Sequence, residues 1–148
     1  MNYNLFKSKY IWNRVNYDKL YWYQCVDLIR QYIKERWRKQ PLALWPLWCK
    51  YFAISPYHYF DINEYEWVKN RLDNKPEQWD IVIFSKPSTT GHIALVDSAN
   101  YLSLKVLEQN AGSWNGNWIG ANAIKLWTYS YYNVMWRFKK RTRTLSIK

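Results

Sequence analysis

The apolar positions of this chain change period partway along. Val26, Leu28, Ile29, Tyr32 and Ile33 recur at helical spacing, and Asp27, Arg30, Lys34 and Glu35 lie mostly elsewhere on the wheel. The pattern predicts a helix over residues 23–37. Basic residues crowd its C-terminal end (Lys34, Arg36, Arg38, Lys39), where the dipole favours them, and Pro41 cannot continue it. Ahead of it, residues 2–18 read as a short helix or irregular lead-in anchored by Phe6, Tyr10, Ile11 and Trp12. Behind it, a short aromatic helix is expected over 44–51, started or interrupted by Pro46 and closed by Ser55-Pro56.

From Asn74 the period shortens. Residues 79–84 read as a short buried strand, and residues 85–91 as a Ser/Thr/Pro/Gly loop. Strands are expected over 92–97 and 104–110, joined by a turn at 98–100. Residues 111–123 read as a Gly/Asn/Trp loop, and residues 133–138 as a last strand. Helices first and an antiparallel sheet second make the class α+β. The length suits one domain over 1–138, followed by a basic tail over 139–148.

Composition changes this picture in two ways. The aromatic share is 20%, so many Trp and Tyr side chains must be partly exposed or must line a groove. The formal net charge is +11, and nothing after Glu108 is acidic. Arg137, Lys139, Lys140, Arg141, Arg143 and Lys148 give the C-terminal end a basic character suited to an anionic partner: nucleic acid, a membrane surface or a wall polymer. No segment is long and apolar enough to span a bilayer. The first residues lack an apolar run of signal-peptide length, so an extracytoplasmic target would need another export route or a partner that opens the membrane. Cys25 and Cys49 are the two cysteines; a disulfide is not expected, and two are a poor basis for a zinc site.

Cys25 stands where the aromatic segment gives way to the helix. A thiol in the first turn meets unpaired backbone N–H groups and the positive end of the dipole, and both favour the thiolate. Asp27, two positions on, is expected to point to a different face. The alternative is a buried, inert cysteine; Cys49, between Trp48 and Lys50, is read that way. A hairpin centred on Asn100 sets His92 opposite Glu108, with Cβ atoms roughly 5 Å apart. Asn110 then lies on the same face. A one-residue slip would send Glu108 to the other face. In that register a carboxylate takes the proton of one ring nitrogen and leaves the other for a nucleophile. Ala94 follows His92 on the same face and is small enough to let the helix start approach. Taken singly, His92 reads as a structural histidine and Glu108 as a solvated strand residue.

Four blocks in order resemble the CHAP family of cysteine, histidine-dependent amidohydrolases and peptidases. They are Tyr23-Gln24-Cys25-Val26-Asp27-Leu28, then Pro76-Glu77-Gln78-Trp79-Asp80-Ile81-Val82-Ile83-Phe84, then Gly91-His92-Ile93-Ala94-Leu95-Val96, then Leu107-Glu108-Gln109-Asn110. The resemblance implies a papain-like fold, N-terminal helices packed on an antiparallel sheet, and cleavage of bacterial peptidoglycan by an amidase or endopeptidase, as in phage endolysins. It implies Cys25 as nucleophile, His92 as general base and acid, Glu108 as the residue orienting the imidazole, and Asn110 as a supporting polar group. Gln24 and the Cys25 backbone N–H would hold the oxyanion. Trp114 and Trp118, with Tyr129 and Tyr131, are candidates to stack on substrate, with core packing as the alternative.

The chain departs from the family pattern where Trp22 and Tyr23 stand in place of a common Gly, and where Trp79 replaces the Gly before the Asp of the first strand. Both changes put bulk near the cleft. Asp18 alone occupies the place where some members gather calcium ligands, so neither a metal nor any other cofactor is expected. The expected partners are peptidoglycan and anionic wall polymers rather than nucleic acid, met by a monomer. The other classes left open are a catalytically inactive wall-binding relative and a single-stranded nucleic-acid-binding module, which the interleaved bases and aromatics also fit.

Overall fold

The computed structural model describes residues 1–19, 24–37, 64–71, 73–85, 91–110 and 123–140, with the side chains of Trp136 and Lys140 excepted. In chain order the elements are α1 (Tyr3–Tyr10), α2 (Cys25–Trp37), β1 (Tyr65–Lys69), β2 (Ile81–Phe84), β3 (His92–Ala99), β4 (Ser103–Glu108), β5 (Lys125–Ser130), a 3-10 turn (Tyr131–Asn133) and β6 (Val134–Lys140). The strands form one antiparallel sheet in the order β1-β6-β2-β3-β4-β5.

Alternation along the central strands sorts their side chains into two layers. Ile81, Ile83, Ile93, Leu95, Leu107 and Phe138 pack with Phe6, Leu28, Ile29 and Tyr32 of the helices. Val82, Phe84, Ala94, Val96, Leu104 and Val106 form a second cluster. Each such side chain contributes about 1.5–3 kcal/mol of burial. This double coverage explains why β2 reads as a continuous apolar run: all of its residues are buried.

The sequence reading gave no strand at 65–69 or at 125–130. Both are the edges of the sheet, and both are only partly buried. Edge strands alternate weakly and carry charge, here Glu66, Lys69 and Lys125, so no apolar run marks them. The last strand runs two residues past its expected end. Lys139 and Lys140 pair with Glu66 and Tyr65, so the sheet takes in the start of the expected tail. The expected helix at 44–51, with Cys49, and the loop tryptophans Trp114 and Trp118 lie outside the described residues.

Arg137 does not belong to a basic surface. It is buried, and its Nη1 donates to Asp80 Oδ2 at 2.6 Å and to the Lys75 carbonyl at 2.9 Å, while Nη2 donates to Asn74 Oδ1. It pins the 74–80 turn to β6 from inside. Lys139 is engaged with Glu77 at 2.8 Å.

Candidate active site

Cys25 is the first residue of α2, and the helix start is built around it. The Gln24 N–H donates to Asp27 Oδ2 at 2.8 Å, and the Asp27 N–H donates to the Gln24 carbonyl at 3.1 Å. The Asp27 carboxylate turns back and caps the helix, in the manner of a capping box. Burial pushes its pKa up to about 7, against the hydrogen bond from Gln24, which lowers it. Cys25 itself is buried, 8% exposed, and belongs to the helical layer.

His92 opens β3, directly after Gly91, whose φ of 76° lies in the left-handed region. Its ring is buried, and Nε2 lies 3.0 Å from Glu108 Oε2. The Cys25 side chain also interacts with the imidazole and favours its charged form. With Nε2 committed to Glu108, Nδ1 is the atom left for sulfur. Burial opposes a charged ring, but the hydrogen bonds to Cys25 and Glu108 outweigh it and push the imidazole up to about 9.

The register that joins His92 to Glu108 differs from the simple hairpin. The turn is built by Asn100, whose Oδ1 accepts from the Leu102 N–H at 2.8 Å and the Ser103 N–H at 2.9 Å. Ala99 pairs with Leu104 and Ser98 with Lys105, but Val96 pairs with Val106 and Leu95 with Leu107. A bulge at Asp97 absorbs the odd residue. The net shift from the expected pairing is two positions, so the face is preserved. Glu108 reaches His92 diagonally rather than from directly opposite, within the span of a long side chain. Lys7 of α1 holds the bulge residue, Nζ to Asp97 Oδ1 at 2.7 Å.

Ala94 packs in the second cluster, away from the layer that holds Cys25. Asn110 lies just past β4 with φ of 57°, a left-handed conformation that asparagine tolerates. Gln109 was singled out only as part of a motif, yet its amide ties three segments together. Oε1 accepts from the Val15 N–H at 2.7 Å, and Nε2 donates to the carbonyls of Val15 and Gln24, each at 2.8 Å. It fastens Gln24, the residue before Cys25, to the end of the strand that carries Glu108. A glutamine amid apolar strand residues was the available signal, because a buried amide needs partners from elsewhere.

The chain matches the CHAP domain family over residues 15–110, which spans Cys25, His92 and Glu108. It belongs to the CHAP family. No curated protein matches the chain. Among solved structures it is similar to the crystal structure of the wild-type endolysin LysIME-EF1, with a TM-score of 0.64 and 14% identity. That match covers 95% of this chain and 63% of the endolysin chain, and at this identity it establishes the fold.

The CHAP pattern also explains a strained position. Trp79 stands where the family commonly has glycine, and its φ is 86°. The bulk does not enter the cleft. The indole packs among Tyr3 (5.1 Å between ring centroids), Tyr32 (5.3 Å) and the Arg36 guanidinium (3.7 Å) on the helical side. We expect Trp79→Ala to be less stable than Trp79→Gly by about 1 kcal/mol, since both lose the packing but only alanine keeps the strain. Urea titration of the two variants checks this, and the usual advantage of alanine over glycine would contradict it. Asp18 is paired with Arg30, and among the described residues no group of His, Cys, Asp or Glu is arranged to hold a metal ion.

Proposed function

We propose that this protein cleaves an amide bond of bacterial peptidoglycan through a Cys25-His92-Glu108 thiol mechanism. One observation carries the reading: a buried imidazole bonded through Nε2 to a carboxylate 3.0 Å away also interacts with a thiol at a helix N-terminus, and both neighbours favour its charged form. Membership in the CHAP family and the likeness to an endolysin support the substrate class.

In this mechanism the Cys25 thiolate attacks the amide carbonyl carbon. The C–N bond breaks as the His92 imidazolium gives its proton to the leaving amine. Water, deprotonated by His92, then hydrolyses the thioester and frees the carboxylate and the thiol. The Cys25 N–H, in the first turn of α2, is assigned to the oxyanion, with the Gln24 side chain as second donor and Asn110 as a supporting group. Trp114 and Trp118 are assigned to substrate by their chemistry. Trp127 joins them: it is 52% exposed and pairs with Val106, two positions before Glu108.

The released fragments test this. Digestion of purified walls is expected to yield new amine termini with no new reducing sugar ends. A free alanine amine on the stem identifies the amidase bond, and any other new amine identifies an endopeptidase bond. New reducing ends without new amines would overturn the proposal.

A further inference from the structure

β5 brings one more side chain to the catalytic carboxylate. The Tyr129 hydroxyl donates to Glu108 Oε2 at 2.8 Å, the same oxygen that meets His92 Nε2 at 3.0 Å. Glu108 is fully buried, and Oε1 has no hydrogen-bond partner among the described residues. Two donors on one oxygen fix the orientation of the carboxylate toward the imidazole. The Tyr129 ring packs on Phe84 at 4.7 Å between centroids, and Phe84 lies 6.0 Å from the His92 ring. Burial, and then the neighbouring carboxylate, keep the Tyr129 hydroxyl above its usual range, so it stays a donor at any working pH.

We propose that Tyr129 is a positioning residue of the active site, whose hydroxyl fixes the Glu108 carboxylate and thereby sets the lower pH limit of thiol activation. The proposal rests on the reading of Cys25, His92 and Glu108 as the catalytic group. Among the described residues, the titratable and charged neighbours of Glu108 are His92 from β3, Tyr129 from β5, Lys125 at the paired position of β5 and, through His92, Cys25 of α2. Lys125 lies over the Trp127 ring at 4.7 Å, and no salt bridge links it to Glu108. Without the phenolic donor the carboxylate can turn away from His92 Nε2 and supports the imidazolium less. A less supported imidazolium holds the Cys25 thiolate less firmly, so the acidic limb moves up. Merely structural packing by the ring would not move it.

The test is Tyr129→Phe, which keeps the ring. The rate of Cys25 alkylation by iodoacetamide is followed against pH by peptide mass mapping, a readout that needs no substrate. The acidic limb is expected to shift up by about half to one pH unit. Turnover of a peptidoglycan fragment is expected to fall about tenfold in kcat, with KM within about twofold. In a Glu108→Gln background the same substitution is expected to leave the alkylation profile unchanged. A profile superimposed on the wild type, or an equal shift in both backgrounds, would overturn the role of Tyr129. Because alkylation is independent of substrate, an inactive protein with the expected shift would count against peptidoglycan as substrate and not against this role.

Discussion

Cys25→Ala is expected to lower wall clearing by about ten-thousandfold or more, because in the proposed mechanism the Cys25 sulfur forms the acyl-enzyme. Its fold should survive. The substitution removes one sulfur from the helical layer, a loss of about 1 kcal/mol, and the helix cap does not use the side chain. Circular dichroism and the melting temperature check the fold, and turbidity of a wall suspension checks activity. A folded variant that clears walls at the wild-type rate would remove Cys25 from the mechanism.

His92 and Glu108 separate by degree and by pH. His92→Ala should lose about a thousandfold or more, since proton transfer has no substitute. Glu108→Gln should lose about ten- to a hundredfold, because an amide can still occupy the site but cannot support the positive ring. The folded imidazole, held near 9, binds its proton more tightly than the unfolded one, near 6.5. Its contribution to stability is therefore complete below pH 6.5 and is lost as pH rises through about 9. Wild-type melting temperature should fall across that window, and His92→Gln should flatten the fall. The alkaline limb of activity should lie near the same upper value, reporting the coupled pair rather than one residue. A wild-type melting temperature that rises from pH 6.5 to 9 would contradict this.

The sequence showed most of what positions the site, and the gaps have identifiable causes. The helix at Cys25 was legible because its apolar spacing is regular. The buried strands β2 and β3 were legible from the apolar runs at residues 81–84 and 93–96, and β4 from its apolar Leu104, Val106 and Leu107. The edge strands were not, since a half-exposed strand needs no such run. The meeting of His92 with Glu108 was legible only in parity. The exact register depends on an Asx turn at Asn100 and a bulge at Asp97, and the bulge is held by Lys7 from a helix 90 residues away in sequence. Long-range polar contacts of this kind leave no periodic trace. The same holds for Gln109 and Tyr129, whose partners come from other elements, and for Arg137, whose basic neighbours hid a buried ion pair. Trp79 was read from its family position as cleft bulk, yet the left-handed backbone there sends the indole to the helical side.

The central claim is that one thiol is activated by the imidazole and carboxylate beside it, and its reactivity against pH measures that directly. The native protein is alkylated with iodoacetamide between pH 6 and 8, and Cys25 and Cys49 are quantified by peptide mass mapping. Cys25 should keep its rate within about threefold over that interval, whereas an ordinary thiol loses about a hundredfold, and His92→Ala should turn Cys25 into an ordinary thiol. A Cys25 that follows the ordinary curve in the wild type, or that reacts only after unfolding, would contradict the account.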